Sequence, residues 1–565
     1  MVLRTLKGYI IVFVCVVLAN VAAHVWVVRW DMTDDKHYSL SAASKALLRS
    51  TDEPIEVTLL LDGDLNAGFR RLKKATEETV AEMGVYGRVQ NTDRFTDRIQ
   101  TELADSLGLS PIVIHEREQN GKTAQTTVYP YALMLYKGHR AVVTLLKNTR
   151  GLSGEENLNA SIEQLEFAFM EALHLLQQNE TPRVAILEGH GEPDEAHTYD
   201  LMSTLSKYFQ IDRGSIDARS ETANAVRSEI DAHILDGYKA VIVANPQEPF
   251  SEAERFVIDQ YIMRGGAVLW ALNGVRFSEQ VLQSDGFTPV MPLELGLTEM
   301  LFRYGIRVNP ALVQDIQCLP IAVNVSSDPQ QPNLQPMPWT YAPLLLTSEG
   351  SPITRSLGQV MSTFASPLDA VGGEDGIEKR ILLATSTASR VTATPGEVDL
   401  NDMNPKVEDY VYQYVPIAVS MEGVFGSAFA HRMVPEEVKG ERLKDEGIIK
   451  QSMKTRQVVI GSGSVLMNEV QKGQALPMGY DRYSGMQFSN RDFIANAVLW
   501  LTDSEGLISL REKSVALRLL NDRRAHEERM KVQLVSTISP VAILALIGGM
   551  VIIIRKRKYE YKGER

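Results

Sequence analysis

The stretch AVIVANPQEPFSEAERFVIDQYIMRGGAVLWAL, residues 240–272, decides the fold. It opens on a continuous apolar run, Ala240–Ala244, of the kind found in parallel strands that are buried on both faces. Ser251 predicts the start of a helix through Met263, because its hydroxyl can accept hydrogen bonds from free backbone N–H groups. Gly265-Gly266 predicts the end of that helix, and a second apolar strand is predicted at 267–272. Strand, helix and strand in this order predict a doubly wound α/β layer.

The same alternation extends to both sides of this stretch. A strand at Arg183–Leu187 and a helix at 199–209 precede it, which gives a doubly wound region of about 181–290. The pattern returns in a strand at 457–460 and a helix at 490–501. Between them, the polar and proline-rich segment SSDPQQPNLQPMPW (326–339) predicts a long loop.

A smaller α/β region is predicted before the doubly wound one. Ser41 can cap a helix that begins at Ala42, and the apolar run IEVTLLL (55–61) predicts a strand. A helix is predicted at 69–83 and a second strand at 85–90. Apolar residues spaced by three and four then predict one long helix over 155–178, leading into the next region.

Composition and charge exclude several classes of protein. The 565 residues carry a formal net charge of −13, whereas nucleic-acid-binding proteins show a basic footprint. The two cysteines, Cys15 and Cys318, are too few and too far apart for a zinc cluster or a disulfide framework. The chain is 44 % hydrophobic and 23 % charged, which is typical of folded proteins rather than disordered ones. We therefore expect a folded protein of several domains that does not bind nucleic acid.

Both ends of the chain carry long apolar runs. Residues 10–28 and residues 535–554 contain no Asp, Glu, Lys or Arg. Each run is long enough to cross the ~30 Å hydrocarbon core of a membrane as a helix. Arg4 and Lys7 before the first run would also suit a signal peptide. However, the run continues past the candidate cleavage site at 21–23, which favours an uncleaved anchor.

Basic residues next to the two runs predict the orientation of the chain. RKRK (555–558) directly follows the second run, and Arg4 and Lys7 precede the first. Because Lys and Arg close to a span favour the cytoplasmic side, both termini are predicted in the cytoplasm and the large middle region on the far side. The predicted plan is a cytoplasmic N-terminus 1–8, a transmembrane helix 9–29, a small α/β domain 31–150, a linking helix 151–180, a doubly wound α/β domain 181–290, a second α/β region with long loops and a juxtamembrane helix 291–530, a transmembrane helix 535–554 and a basic cytoplasmic tail 555–565.

The stretch LEGHGEPDE (187–195) concentrates acids, a histidine and glycines at the end of the first strand of the doubly wound region. Open α/β sheets bind ligands beyond the carboxyl ends of their strands, so Glu188, His190, Glu192 and Asp194 are the candidate binding residues. The glycines and proline between them indicate an irregular strand-to-helix turn, whose acids favour the positive N-terminus of the next helix. No nucleophile accompanies the histidine, so we assign no catalytic residue and no cofactor.

The turn GSGS (461–464) follows the strand at 457–460. It lacks the G-K-[ST] ending of a phosphate-binding P-loop, and Gly463 stands where a G-x-S-x-G elbow has its serine. It therefore predicts a tight turn between a strand and a helix. The histidines form no pair at helical ligand spacing and no H-E-x-x-H occurs, so we predict no metal site.

Several segments together resemble the gliding-motility ABC transporter auxiliary family, the substrate-binding-like GldG family. Their order along the chain and the two flanking spans carry the resemblance more than any single motif. They are DMTDDKHYSLSAASKALL (31–48), VAILEGHGE (184–192), RGGAVLWAL (264–272), LPMGYDRYS (476–484) and NRDFIANAVLWLTDSEGLISLREK (490–513).

The resemblance implies a periplasmic component, anchored in the cytoplasmic (inner) membrane, that works with an ABC ATPase and a multi-span permease. It also implies a large domain similar to a class I glutamine amidotransferase without its catalytic cysteine. Members of the family commonly carry Gly-Asp-Gly-Asp where this chain has Ser462 and Ser464. That difference weakens any argument for a metal at this turn.

The expected function is that of a non-enzymatic auxiliary component of an ABC transporter linked to gliding motility, binding a ligand or an envelope protein. One alternative is an envelope hydrolase or amidotransferase-like enzyme that uses His190 with Glu188 or Glu192. Another is a structural linker in a motility or secretion machine.

Overall fold

The computed structural model describes most of the chain between residues 39 and 560. The described residues are 39–63, 65–91, 104, 106–117, 123–146, 154–178, 180–217, 229–324, 333–355, 357–372, 376–400, 406–440, 442–443, 447–503, 508 and 522–560. The chain divides into two compact units, Met1–Lys513 and Ser514–Arg565. The predicted N-terminal span (9–29) and the cytoplasmic N-terminus (1–8) lie outside the described residues.

The N-terminal part of the first unit contains both helices and strands, and its predicted extent as a separate domain, 31–150, stays a prediction. Its elements are α1 (Ala42–Arg49), β1 (Ile55–Leu59), α2 (Ala67–Tyr86), β2 (Val89–Asn91), β3 (Ile112–Arg117), β4 (Thr123–Val128), β5 (Tyr131–Tyr136), β6 (His139–Thr144), α3 (Gly154–Glu163) and α4 (Leu165–Gln177). The sheet order is β2-β1-β5-β6, and β3 and β4 form a separate hairpin. Leu48, Leu72 and Phe169, one from each of three helices, are buried in its core.

The local predictions for this region hold at the helix cap and fail at two boundaries. Ser41 caps α1, because its Oγ accepts from the backbone N–H of Ser44 at 3.1 Å. The strand predicted at 85–90 starts only at Val89, since α2 continues through Tyr86. The single helix predicted over 155–178 is two helices that meet at Gln164.

The remainder of the first unit is built around one large sheet. Its first elements are β7 (Arg183–Leu187), α5 (Glu195–Leu205), β8 (Gln210–Gly214), β9 (Ile230–Asp231), β10 (Ala240–Ala244), α6 (Glu252–Met263), β11 (Ala267–Ala271), β12 (Val275–Arg276), α7 (Glu279–Asp285), β13 (Phe287–Pro292), α8 (Thr298–Tyr304), β14 (Arg307–Val308), β15 (Ala311–Asp315), β16 (Cys318–Asn324) and β17 (Leu334–Thr347). They are followed by β18 (Val360–Met361), β19 (Leu368–Asp369), β20 (Glu378–Ala384), β21 (Ser389–Ala393), β22 (Gly396–Asp399), β23 (Pro416–Gly423), β24 (Val438–Lys439), β25 (Thr455–Ile460), β26 (Val470–Gln471), β27 (Gln474–Ala475), β28 (Tyr480–Asp481), β29 (Met486–Gln487) and α9 (Asn490–Thr502).

The large sheet has a parallel half and an antiparallel half. Its order is β16-β17-β20-β23-β25-β11-β10-β7-β8, and β18 pairs with β17. The strands from β25 to β8 run parallel, whereas β16, β17, β20 and β23 each pair antiparallel with the next strand of that order. β25, from the second predicted α/β region, thus pairs with β11 of the first. The boundary proposed near residue 290 stays a prediction.

Helices cover both faces of the parallel half. Along β10, Ile242 faces a core that contains Leu201 of α5 and Phe493 of α9. Val241 and Val243 face the opposite core, which contains Phe256 of α6. Alternate residues of a strand point to opposite faces, so a strand enclosed by helices on both sides must be apolar throughout. All five residues of β10 are buried, and the predicted α/β class is confirmed.

The long loop predicted at 326–339 is wrong in its second half. β17 begins at Leu334 and pairs antiparallel with β16. Pro338 lies opposite Pro320. Neither proline has a backbone N–H, so the two form a non-hydrogen-bonded pair of the antiparallel ladder. Pro336 lies two residues away and therefore also stands at a non-hydrogen-bonded position. The prolines therefore do not prevent strand pairing.

The second unit contains one long helix, α10 (Asp522–Glu560). Ser536–Lys556 within it is long and apolar enough to cross a membrane, and the side chains of that segment are not buried inside the structure. This is the only such helix among the described residues. It coincides with the predicted C-terminal span.

Candidate functional site

The loop after β7 turns the chain into α5 through two glycines. Gly189 and Gly191 have φ values of 110° and 72°, a backbone region that favours glycine. Asp194 ends the loop and caps α5, since its Oδ1 accepts from the backbone N–H of His197 at 3.0 Å. The predicted strand-to-helix turn is confirmed, and its acid at Asp194 is a helix cap.

His190 lies in the centre of this loop with 3 % of its surface exposed. Its ring stacks on Phe250, with 3.7 Å between the ring centroids. Nδ1 lies 3.1 Å from Oε1 of Glu192, and Nε2 lies 3.0 Å from Oε1 of Glu254. Both ring nitrogens are therefore bonded to carboxylates of the protein itself.

The two carboxylates keep the imidazole charged. Burial alone lowers the pKa of His190, but the hydrogen bonds from its ring to Glu192 and Glu254 outweigh that effect and raise the pKa to about 9. Burial conversely raises the pKa of Glu254, but hydrogen bonds from His190 and Ser251 lower it to about 2. At neutral pH the ring is an imidazolium held between acids. It has no lone pair with which to act as a base or to bind a metal.

The backbone of His190 forms hydrogen bonds across the position at which an open α/β sheet usually binds ligands. β7 has β8 on one side and β10 on the other, so the strand order reverses between β7 and β10. The carbonyl oxygen of His190 accepts from the N–H groups of Gln247 and Glu248 at 2.7 and 2.8 Å. These bonds join the loop after β7 to the loop after β10 across that position.

Glu188 is held on the opposite side of the loop by Arg213 of β8. The Nε of Arg213 donates to Oε1 of Glu188 at 2.6 Å. Its two other nitrogens donate to Thr198 Oγ1 at 2.5 Å and to the carbonyl of Pro193 at 3.1 Å. Arg213 therefore links β8, the loop and α5.

Of the four predicted binding residues, the structure brings together His190 and Glu192 and places Glu188 and Asp194 elsewhere. Sequence reasoning missed that Glu254 is a partner of His190, because the two residues are 64 positions apart in the chain. Glu254 lies in the first turn of α6, where an acid is favoured by the positive helix N-terminus without any partner in the loop after β7. It does form a capping box with Ser251, and its remaining oxygen reaches His190.

The carboxyl ends of β10 and β25 meet beside this loop. Asn245 follows β10 with a φ of 54°, a conformation uncommon outside glycine. Gly463 packs against its side chain so closely that a Cβ at Gly463 would overlap Asn245. The backbone N–H of Gly463 donates to Oδ1 of Asn273 at 2.9 Å. The side-chain amides of Asn245 and Asn273 therefore both contact the turn after β25.

The GSGS turn is tight, as predicted, and its serines bond to the protein. Gly463–Leu466 forms a single turn of 3-10 helix. Ser462 Oγ and Ser464 Oγ lie 2.9 Å apart, and both hydroxyls also contact the carbonyl of Thr363. Ser464 Oγ accepts from the N–H of Thr363 at 2.9 Å.

Cys318 is remote from the loop after β7. It begins β16, at the other end of the large sheet, and burial raises the pKa of its thiol to about 11. The described residues include no group of three or more His, Cys, Asp or Glu side chains arranged to hold a metal ion.

Parts of the chain are similar in sequence to other proteins and domains. Residues 34–135 match a domain of unknown function, DUF7088. An uncharacterized protein from Borreliella burgdorferi is 22 % identical over 286 residues, which cover 50 % of this chain and 51 % of that protein. The chain thus spans about half the length of this curated relative.

Two solved structures share some similarity. The mmIFT52 N-terminal domain aligns over 57 % of this chain and 98 % of its own, with 18 % identity and a TM-score of 0.31. A ThuA-like protein from Parabacteroides merdae aligns over 61 % of this chain and 94 % of its own, with 8 % identity and a TM-score of 0.26. A family model also matches the chain. It covers residues 181–497, more than half of the chain, and shows that the protein belongs to the auxiliary family described as an ABC-type uncharacterized transport system.

Proposed function

We propose that the protein is a non-enzymatic, membrane-anchored accessory subunit of an ABC transport system. One observation carries the non-enzymatic part of the proposal. The loop with the acid and histidine cluster uses both ring nitrogens of His190 in bonds to Glu192 and Glu254. A general base needs a free nitrogen within reach of a substrate, and this ring offers none. Family membership supports a transport-associated role.

The exposed apolar segment Ser536–Lys556 supports the membrane anchor. Its apolar side chains are not buried in the protein, and a lipid bilayer would remove them from water. We propose that the large α/β region lies in the periplasm with both termini in the cytoplasm. The basic RKRK segment after the apolar run supports this orientation.

An ATPase and a multi-span permease complete the proposed system. The sequence contains no G-x-x-x-x-G-K-[ST] motif, so nucleotide hydrolysis would come from another polypeptide. A role in gliding motility is the finer proposal, and it rests on the resemblance of the ordered segments to the GldG family. Deleting the gene should then abolish surface spreading in a gliding host.

Binding by the loop after β7 is also proposed, with the work divided among its residues. The side chains of Asp194 and Glu188 are 67 % and 39 % exposed, so they can contact a ligand or an envelope protein. His190 and Glu192 are buried and would shape the loop. Replacing Asp194 by Asn should weaken such contacts, while Glu192→Gln should mainly lower stability.

Affinity purification from detergent-solubilised membranes tests the accessory role. The tagged full-length chain should retain an ABC ATPase and a multi-span protein, identified by mass spectrometry. An unrelated membrane protein with the same tag is the control. Repeated recovery of the chain without either subunit, after mild cross-linking, would contradict the proposal. Full function of a His190→Gln variant would argue further against the envelope-hydrolase alternative.

A further inference from the structure

The small N-terminal sheet ends in a strand with one open edge. The sheet order is β2-β1-β5-β6, so β6 (His139–Thr144) is its last strand. Within the described part of the chain, β6 pairs with β5 alone. The other side of such a strand presents backbone N–H and C=O groups that can pair with a further strand.

The register of β6 identifies the backbone groups on its open edge. The N–H of Leu145 donates to the carbonyl of Pro130 at 2.9 Å, and the pairing continues antiparallel along β5. Hydrogen-bonded residues alternate in such a ladder, so Ala141 and Val143 bond to β5. The residues between them direct their N–H and C=O groups outward, and among the described residues these groups have no hydrogen-bond partner. They are Arg140, Val142 and Thr144.

This edge is accessible and lacks the usual protection against strand pairing. The side chain of Val142 is 40 % exposed, and Arg140 and Thr144 beside it are exposed as well. β16, at one end of the large sheet, contains Pro320, and its register shifts between Cys318 and that proline. Prolines and bulges protect edge strands from other chains, and β6 has neither.

A second copy of the same strand satisfies all of the free groups. If two β6 strands run antiparallel about a two-fold axis at Val142, the two Val142 residues face each other and Arg140 of each copy faces Thr144 of the other. Each outward residue is then in a hydrogen-bonded pair, and a pair of β-branched side chains lies on the axis. A register centred on Arg140 would place two like charges opposite each other and leave Thr144 without a partner.

We propose that the chain forms a homodimer in which two β6 strands join the small sheets of two copies into one continuous sheet. A single strand pair is a small interface. It rests on the proposed membrane anchor, Ser536–Lys556, which would confine both copies to one bilayer and raise their effective concentration. It requires neither the ATPase nor the permease of the accessory role.

Disulfide cross-linking of the full-length chain in isolated membranes tests the pairing. Wild type, which retains Cys15 and Cys318, gives the baseline. Val142→Cys should form several times more disulfide-linked dimer than wild type. The Cα atoms of a hydrogen-bonded antiparallel pair are about 5.5 Å apart, which is within the range that a disulfide spans.

Mixed cross-linking tests the register. Arg140→Cys and Thr144→Cys should each stay at the baseline when expressed alone, because equivalent positions would be roughly 14 Å apart across the axis. Differently tagged Arg140→Cys and Thr144→Cys chains should link when they are expressed together. Val85→Cys is the matched control and should stay at the baseline, since Val85 is 60 % exposed at the end of α2, just before the opposite edge strand β2.

A proline on the axis separates pairing from folding. Val142→Pro removes the N–H that the pairing needs but no hydrogen bond within one copy, so the mixed linkage should fall several-fold while the melting temperature changes little. Val142→Thr keeps the N–H and the β-branched shape and should preserve the linkage.

Several outcomes would overturn the dimer. They are a Val142→Cys yield at the baseline, equal linkage for Arg140→Cys alone and for the mixed pair, equal linkage for Val85→Cys, and mixed linkage that Val142→Pro leaves unchanged. A linked product of one copy with a different protein would assign the edge to that protein and also overturn the proposal. Co-purification with transporter subunits does not use this edge, so the two proposals fail separately.

Discussion

At the scale of single residues, His190 is a charged group that joins three segments of chain. Its ring contacts Glu192 in its own loop, Glu254 in α6 and Phe250 before α6. Its carbonyl oxygen receives two N–H groups from the loop after β10. A buried charge is stable only when it is paired, and breaking one partner of such a group is costly. The histidine is therefore best understood as a structural cross-link.

The shifted pKa of His190 predicts how stability depends on pH. Its folded-state pKa of about 9 lies above the ordinary value of 6.5, so its contribution is complete below pH 6.5 and is lost as the pH rises through 9. Glu254, with a pKa lowered from 4.5 to about 2, contributes fully above pH 4.5 and loses its contribution toward pH 2. We expect the melting temperature to fall between pH 6.5 and pH 9 as roughly 2–3 kcal/mol is lost.

A His190→Gln variant separates this effect from general alkaline destabilisation. It should melt several degrees lower than wild type at pH 6.5 and show a smaller further decrease by pH 9. Differential scanning fluorimetry of both proteins across this range provides the measurement. Parallel pH curves for the two proteins would show that the imidazolium contributes nothing.

At the scale of elements, two strand ends interlock at the carboxyl edge of the sheet. The turn after β25 fits against the turn after β10 only because Gly463 lacks a Cβ where Asn245 projects. Asn245 itself has a positive φ, which glycine adopts without strain. Steric fit between these two positions, more than the serine hydroxyls, explains why glycine stands at 463.

Paired substitutions at this contact should compensate one another. Gly463→Ala should destabilise the first unit by about 1–3 kcal/mol through overpacking. Asn245→Gly should be nearly neutral by itself, and the double variant should recover most of the loss. Urea denaturation of the three variants, followed by tryptophan fluorescence, measures the coupling. Additive losses in the double variant would contradict the steric explanation.

The elements also show which patterns a sequence can reveal. β10 was predicted at its observed bounds because a strand enclosed on both faces is apolar throughout. β7 was predicted at its observed bounds as well, and four apolar residues follow its exposed Arg183. The first turn of α6 was predicted because Ser251 is a local cap. β17 was missed because its prolines resemble those of a loop until the partner strand is known. The bond from His190 to Glu254 was missed because no local pattern reports a contact between residues 64 positions apart.

At the scale of the molecule, the large sheet can be completed only late in synthesis. β25 lies between β11 and β23, and its residues follow those of β11 by nearly two hundred positions. α9 then covers the same face of the sheet as α5. The matched family segment, residues 181–497, includes β11, β23, β25 and α5, and it ends within α9. A fragment that stops before β25 would expose the edge of β11 to association with other chains.

The anchoring of the whole chain provides a test of its proposed topology. If both ends lie in the cytoplasm, protease added to spheroplasts should digest the large α/β region and leave an epitope placed after Arg565 protected in a small fragment. The fragment should contain Ser536–Lys556, the segment that the membrane would shield.

A variant with Leu544 and Ile547 both changed to Arg should lose this fragment, because charged side chains in the bilayer centre are costly. A variant with the exposed Met433 changed to Arg is the control for added charge, and its fragment should persist. Digestion of the epitope in intact spheroplasts would reverse the predicted orientation of the C-terminus.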